Sequence, residues 1–328
     1  MPSLRPTDEK IFVNRRRFIQ SLTLGSISGA SACSWAAAKK QQPLEEPLSR
    51  PDIFPPPVNT YYTLPKGLQT RLTPRQVAAS HNNFYEFLPG RGGPVWEHVE
   101  KFQVEPWKVK ISGACRNPRT LDLDDLFRIP HEERLYHFRC VERWAMNIPW
   151  SGFPLRKLIE DSDPEPEARF VRFVTAYRPS QMPGIRQAPS YPWPYHEALR
   201  IDEAMNELAM VVTGVYGKPL LKQHGAPIRI ILPWKYGYKN PKSIVKIEFV
   251  RKEPGIFWQI LPHEYGFLSN VNPRIPHPRW SQERSYWLDS QSWFPTPIFN
   301  GYEKYVAGLY PDEPRSPQSP LGRGQIAR

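Results

Sequence analysis

Residues 138–144 read FRCVERW, and they follow a run that predicts a strand over Leu135–Cys140 with an apolar face. Cys140 ends that strand, where the chain enters a new segment. Arg139 and Arg143 add positive charge on either side, which lowers the pKa of a thiol and favours the thiolate. The stretch therefore predicts a thiolate that ligates a metal or acts as a nucleophile, with a buried structural thiol as the alternative.

The remaining cysteines narrow the chemistry open to this thiol. The chain has three cysteines, of which Cys33 lies in a presumed leader and Cys115 in the main part of the chain. Two thiols are too few for a disulfide framework, although a single bridge between Cys115 and Cys140 stays possible. No CxxC motif and no Cys/His cluster has the spacing of a zinc site.

A second segment, residues 225–239, combines glycines, basic groups and aromatics. Glycines let backbone amides approach a ligand closely, aromatic rings cover a ring system, and arginine or lysine meets phosphate. The mixture suits a polyanionic aromatic cofactor, and the alternative is a basic strand end with aromatic packing. His224 directly precedes this segment, and it is therefore the histidine that we consider as a candidate for a role at the site.

The distribution of apolar residues predicts short elements of both kinds. Strands are expected at 107–111, 135–140, 170–175, 210–215, 228–232 and 245–249, and short helices at 122–127 and 155–160. A further helix is expected over 73–81, with Thr73 as its cap and Gln76 completing a capping box. Strands and helices do not alternate regularly, so the expected class is α+β rather than a doubly wound sheet. The 39 prolines predict long ordered loops.

The charge balance favours an anionic partner but not a nucleic acid. Lysine and arginine number 44 against 32 acidic residues, a formal charge of +12. The basic residues are scattered and no nucleic-acid motif is present, so a phosphate-bearing cofactor is the expected anion. The chain contains neither GxGxxG nor GxxxxGK[ST], the usual motifs for dinucleotides and nucleoside triphosphates.

The N-terminus predicts an export signal. Residues 14–20 read NRRRFIQ, and a weakly apolar stretch to Ala38 follows that is too short and polar to span a membrane. This pattern resembles the twin-arginine signal, which carries folded proteins, with a basic disordered tail as the alternative. We predict a signal peptide over 1–38, a linker over 39–60, one domain over 61–310, a disordered tail over 311–328, and a periplasmic location.

Several longer motifs together resemble one family, the catalytic subunits of periplasmic, molybdopterin-dependent protein-methionine-sulfoxide reductases. The resemblance runs from the twin arginines to about Tyr310. It is carried by residues 82–87 (NNFYEF), 139–144 (RCVERW), 181–184 (QMPG), 225–227 (GAP), 233–237 (PWKYG), 264–267 (EYGF), 270–273 (NVNP) and 277–282 (HPRWSQ).

The resemblance implies a sulfite-oxidase-like, molybdopterin-binding fold over 61–310, with Mo-molybdopterin as cofactor and Cys140 as the protein ligand of the metal. Soft thiolates suit such a metal. The cofactor contacts that the family implies are Asn82, Tyr85, Glu86, Cys140, Thr175, His224, Arg229, Asn240, Pro241 and Lys242.

Two of these positions depart from the family pattern. His224 stands where asparagine is common; it can still donate a hydrogen bond and could also carry charge. Pro241 lacks a backbone donor, so a contact at this position must use a carbonyl or the amide of a neighbour.

The resemblance further implies oxygen-atom transfer from methionine sulfoxide residues of oxidised periplasmic proteins, with electrons from a haem-containing membrane subunit fed by quinone. Glu142 is the candidate for proton handling, with a salt bridge to Arg139 or Arg143 as the alternative. Trp144 is expected to wall an apolar pocket for the thioether. Competing functions are sulfite oxidation or general S- or N-oxide chemistry on the same fold, and an exported binding protein without catalysis. The sequence leaves the oligomeric state open.

Overall fold

The computed structural model describes residues 44–50, 52–90 and 92–313. Its strands, in chain order, are β1 (Lys108–Gly113), β2 (Arg119–Asp122), β3 (Glu132–Arg139), β4 (Trp144–Pro154), β5 (Phe170–Thr175), β6 (His196–Arg200), β7 (Met210–Val215), β8 (Lys218–Pro219), β9 (Arg229–Ile231), β10 (Ile244–Val250), β11 (Arg284–Trp287) and β12 (Trp293–Pro295).

The helices are short, as the many prolines predict. They are α1 (Arg75–Ser80), α2 (Leu123–Arg128), α3 (Leu155–Ser162), α4 (Pro183–Gln187), α5 (Ile201–Ala204) and α6 (Glu303–Val306). Single 3₁₀ turns occur at Val95–His98, Lys222–His224, Gly237–Lys239, Phe257–Ile260, Ile298–Gly301 and Ala307–Leu309. Across the described ranges, no helix combines the length and apolar character that a membrane span requires.

The strands of the described residues form two sheets, and the predicted α+β class is confirmed. A five-stranded sheet has the order β2-β1-β10-β5-β6, in which only β1 and β10 run parallel. A seven-stranded sheet has the order β12-β11-β4-β7-β8, with β3 added on β4 and β9 added on β7. All six strands expected from the sequence are present, with their ends shifted by a few residues.

The longest strand, β4, was not predicted. Every residue of β4 is buried, because it is flanked by β3, β7 and β11 and both of its faces are covered. Burial on both faces removes the alternation of apolar and polar side chains that marks a half-exposed strand.

Thr73 does not cap α1, so this part of the prediction is wrong. The helix begins at Arg75 after Pro74, without a side-chain cap. The Thr73 hydroxyl instead accepts a hydrogen bond of 3.0 Å from the backbone N–H of Asn147 in β4. The threonine therefore ties the start of the helix to the central strand rather than to its own first turn.

The predicted linker and tail lie partly within the described residues. Leu48 and Phe54, both inside the predicted linker, are buried, and Val58 forms an isolated bridge with Glu133 at the start of β3. Residues 44–50 and 52–60 therefore pack on the domain. The predicted signal peptide over 1–38 lies outside the described residues, as does most of the predicted tail.

Candidate active site

Cys140 lies in the tight turn that connects β3 to β4. Its backbone N–H donates to Trp144 O at 3.0 Å, and the N–H of Arg143 donates back to Cys140 O at 2.9 Å. Arg143 adopts a φ of 75°, a left-handed conformation that lets the chain reverse within four residues. Cys140 is only 4% exposed and its side chain lines a pocket.

That pocket is a cleft of about 920 Å³ that is partly open to solvent. Most of the residues expected from the family resemblance line it: Asn82, Tyr85, Glu86, Cys140, Glu142, His224, Arg229, Pro241 and Lys242. The chain thus brings together side chains from four distant segments.

Thr175 and Asn240 are not part of the lining. The Thr175 hydroxyl donates to Glu86 Oε1 at 2.9 Å and so supports a residue that does line the pocket. The Asn240 side chain accepts from Leu232 N at 2.6 Å and donates to Tyr236 O at 3.1 Å. Both side chains hold neighbouring segments in place.

The Cys140 sulfur accepts two hydrogen bonds. Asn83 Nδ2 donates at 3.2 Å and the backbone N–H of Glu142 at 3.5 Å. Burial and the Glu142 carboxylate nevertheless raise the pKa of the thiol to about 12, outweighing Arg139 and these two donors. The prediction that the neighbouring arginines favour a free thiolate is therefore wrong. A metal must displace the thiol proton when it binds.

A cationic end of the pocket is formed by Arg229 and Lys242, which face each other across an isolated β-bridge. Burial lowers the pKa of Arg229 to about 9, and burial together with Arg229 lowers that of Lys242. Gly225, at a φ of +98°, allows this approach, since a Cβ there would lie 2.6 Å from the Lys242 Cβ.

The Arg229 guanidinium is held but not neutralised. Nη1 donates to His224 O at 2.8 Å, and the group lies 4.9 Å from the Trp150 ring. Nε and Nη2 are buried without a hydrogen-bond partner among the described residues. The Glu86 carboxylate acts electrostatically on Lys242 rather than on Arg229. A buried cation of this kind calls for an anion from outside the chain.

His224 offers the pocket a lone pair rather than a proton. Its Nε2 lies 3.1 Å from Ala78 O, and because a carbonyl only accepts, Nε2 carries the ring proton. Burial lowers the pKa of His224 to about 3, so the ring is neutral and Nδ1, which has no described partner, is an acceptor. The expectation that His224 donates to a ligand or carries charge is wrong.

The loop from Asn82 to Phe87 forms another wall. Glu86 is 2% exposed, and burial raises the pKa of its carboxyl. Gly184 at α4 packs directly on this loop, where a Cβ would lie 2.2 Å from Tyr85 O. The sequence segment 181–184 therefore acts as a support for the loop rather than as lining.

Glu142 is oriented by a neighbour in the pocket. Trp144 Nε1 donates to Glu142 Oε2 at 3.2 Å. Arg139, one of the two predicted salt-bridge partners, instead donates to Ser285 Oγ at 2.9 Å and to the carbonyl of Cys140. The carboxylate thus faces the same pocket as the Cys140 sulfur.

Sequence reasoning missed part of the lining. Asn83 lies inside the 82–87 motif but was not among the predicted site residues. Nothing in the sequence distinguishes an asparagine that contacts a sulfur from any other asparagine. The aromatic lining residues Tyr195, Tyr238, Trp258 and Tyr265 come from segments with little periodicity. Trp258 and Tyr265 stack at 4.5 Å, a contact that only the folded chain reveals.

Comparison with known proteins gives the site its context. The domain family described as oxidoreductase molybdopterin binding domain matches residues 96–258. A protein-methionine-sulfoxide reductase catalytic subunit, MsrP, of Xanthomonas axonopodis pv. citri (strain 306) is 44% identical over 94% of this chain and 95% of its own length. The subunit of the same name from Burkholderia mallei (strain ATCC 23344) is 41% identical over 94% of this chain and 93% of its own.

The chain belongs to this family of catalytic subunits. The predicted family, fold and molybdopterin cofactor are thereby confirmed. Among solved structures, the sulfane dehydrogenase SoxCD from Paracoccus pantotrophus aligns with a TM-score of 0.46 and 15% identity, over 66% of this chain and 53% of that one.

The pocket fits a molybdopterin cofactor. Arg229 and Lys242 supply the positive charge that its phosphate requires, and the unpartnered Nε and Nη2 of Arg229 are free to donate to it. The acceptor Nδ1 of His224 suits an N–H of the pterin ring system. Cys140 offers a soft sulfur ligand to the metal on the same pocket wall.

Proposed function

We propose that the protein is a molybdenum-dependent reductase of methionine sulfoxide residues in proteins. The observation that carries the proposal is the pocket itself, which holds one buried cysteine sulfur and a buried arginine, Arg229, whose Nε and Nη2 have no hydrogen-bond partner among the described residues. Membership of the protein-methionine-sulfoxide reductase family supplies the reaction. When bound, the reduced molybdenum cofactor would supply two electrons and an acceptor for the sulfoxide oxygen.

The pocket walls fit the substrate's side chain. Trp144, Trp258 and Tyr265 give the pocket aromatic surfaces, which contact a thioether or sulfoxide sulfur favourably. The apolar half of methionine sulfoxide is therefore bound by packing, and its polar oxygen is the part that needs hydrogen bonds.

Glu142 is proposed as the group that handles protons. Reduction of a sulfoxide to a thioether releases its oxygen as water, which consumes two protons along with two electrons. The carboxylate lines the pocket with Cys140 and is oriented by Trp144 Nε1. A carboxyl held in this way can pass protons to the reaction site one at a time.

The electron donor and the location of the protein are also proposed. The relatives are named catalytic subunits, which supports electron delivery by a separate subunit, for which we propose a haem-containing membrane protein. The arginine-rich start of the chain supports export to the periplasm by the twin-arginine route. Lysine substitution of Arg15 and Arg16, followed by cell fractionation, tests the route.

Assays of the purified holoenzyme test the reaction. With a reduced dye as electron donor, we expect turnover of a peptide containing methionine sulfoxide. With an oxidised dye as electron acceptor, we expect no oxidation of sulfite. Molybdenum and pterin are measured in the same sample, because a binding protein without catalysis contains neither. Sulfite oxidation without sulfoxide reduction would show that the proposal is wrong.

A further inference from the structure

An aromatic row leads from the pocket to the edge of the seven-stranded sheet. Trp144 of β4 pairs with Tyr286 of β11, and Tyr286 pairs with Trp293 of β12. Directly paired residues of neighbouring strands project on the same face. The row therefore begins at a residue that lines the pocket and ends on an edge strand.

Exposure increases along this row. Trp144 is 4% exposed, Tyr286 is half-buried, and Trp293 is 45% exposed. Among the described tryptophans, Trp293 is the most exposed. The exposed tryptophan thus lies two strands away from Trp144, a residue of the pocket wall.

The exposed tryptophan packs against two neighbouring side chains. The Tyr286 ring lies 5.0 Å from it at an angle of 50°, and the Arg143 guanidinium lies 5.1 Å from the ring centroid. Arg143 itself belongs to the turn that carries Cys140. Two contacts fix the orientation of Trp293 before any ligand arrives, which reduces the entropy lost on binding.

We propose that Arg143, Tyr286 and Trp293 form a docking surface for the polypeptide that flanks the methionine sulfoxide. This inference rests on the proposed function and names the kind of substrate that the site prefers. The polar backbone of a substrate cannot follow its side chain into an apolar pocket, so it remains outside on the rim. The row offers that backbone and its neighbouring side chains a rigid aromatic surface with one cation.

The dimensions favour an extended, unfolded segment. Three neighbouring strands span about 10 Å, since adjacent strands lie about 4.8 Å apart, and about three extended residues cover that distance. A free amino acid has no flanking residues to place on the row. The row therefore offers methionine sulfoxide in an unfolded chain contacts that the free sulfoxide lacks.

Kinetics of Trp293→Ala in the holoenzyme test the surface. The substrates are free methionine sulfoxide and a synthetic peptide of on the order of ten residues, long enough to cover the row, with one central methionine sulfoxide. We expect the ratio of kcat/KM for peptide to kcat/KM for free sulfoxide to fall about tenfold, which corresponds to about 1.4 kcal/mol. Tyr61→Ala, which removes an aromatic residue that is 66% exposed and outside the row, should leave the ratio at its wild-type value.

The outcomes separate the docking surface from the reaction. An unchanged ratio, or an equal loss on both substrates, overturns the docking surface and leaves the proposed function standing. Fluorescence anisotropy of the labelled peptide adds a readout without turnover, and we expect Kd to rise about tenfold in Trp293→Ala. Peptide binding that depends on Trp293, without turnover of either sulfoxide, would keep the docking surface and remove the proposed function.

Discussion

The side-chain amide of Asn83 donates a hydrogen bond of 3.2 Å to the sulfur of Cys140. The two residues are 57 positions apart in the chain, so the contact joins the 82–87 loop to the turn between β3 and β4. A sulfur that accepts a fixed hydrogen bond donates less electron density to a bound metal. The amide therefore adjusts the metal centre without touching the metal.

Replacing Asn83 by leucine should lower the reduction potential of the bound molybdenum. Loss of the donor leaves the sulfur more electron-rich, which disfavours the reduced metal, and hydrogen bonds to sulfur ligands are a known control of potential. The change is measured by a redox titration followed by electron paramagnetic resonance. Gln181→Leu, which alters a polar side chain that hydrogen-bonds the backbone of Gln103, is the control. An unaltered potential in Asn83→Leu would contradict the role of the amide.

Substitution of Cys140 by alanine should abolish sulfoxide reduction and weaken metal retention. It removes the sulfur on the pocket wall, and among residues 44–50, 52–90 and 92–313 no other cysteine lines the pocket. Cys115→Ala is a matched control, because Cys115 is also a buried free thiol but lies between β1 and β2. We expect the control to keep its molybdenum, measured by elemental analysis. Full turnover in Cys140→Ala would refute the site.

Arg229→Met should affect the protein with and without cofactor in opposite ways. The buried guanidinium has two unpartnered nitrogens, so removing it should leave the unfolding free energy of the apoprotein unchanged or raise it. Retention of the cofactor should weaken by about 2 kcal/mol, the contribution of a hydrogen bond to a charged group.

The two effects of Arg229→Met are measured by thermal melting of the apoprotein and by pterin content after dialysis. Arg172→Met is the control, because Arg172 lies on β5 and hydrogen-bonds Glu248 far from the lining. A variant that loses apoprotein stability and keeps its pterin would contradict the assignment.

His137 should make the protein less stable in mild acid. It is fully buried, and burial lowers its pKa from 6.5 to about 4. Between these values the unfolded chain binds a proton that the folded chain excludes, so stability is present above pH 6.5 and is lost as the pH falls toward 4.

His137 contributes at most about 3 kcal/mol to this loss, at 1.36 kcal/mol per pKa unit. His137→Gln should flatten the dependence of unfolding free energy on pH, measured by urea titration across this range. His263→Gln, at an exposed site, serves as the control. A His137→Gln slope equal to that of the wild type would count against the prediction.

Sequence reasoning found six strands, including the fully buried β7, and missed the central strand β4. β1 and β10 alternate apolar and polar side chains because one face of each meets solvent, so their period is visible. β4 is buried throughout and has no period. β11 and β12 are too short and too rich in aromatics to show one, although they carry Tyr286 and Trp293.

In the candidate site, too, sequence reasoning identified features that depend on residue type and missed features that depend on the folded surroundings. Residues with distinctive chemistry, such as Cys140 and Arg229, were found from the sequence because few residue types ligate a soft metal or a phosphate. The pKa of Cys140 was not predicted correctly, because it depends mainly on the burial of the thiol. The two adjacent arginines in the sequence do not reveal that burial. The ring proton of His224 likewise depends on Ala78 O, which is remote in the chain.

The pocket walls are contributed by segments that lie as far apart as Ala78 and Tyr265. A growing chain that has not yet emerged past Tyr265 lacks part of this lining, so we expect it to hold the cofactor less tightly than the finished chain does. A polypeptide released before that point would then leave without the metal-pterin complex.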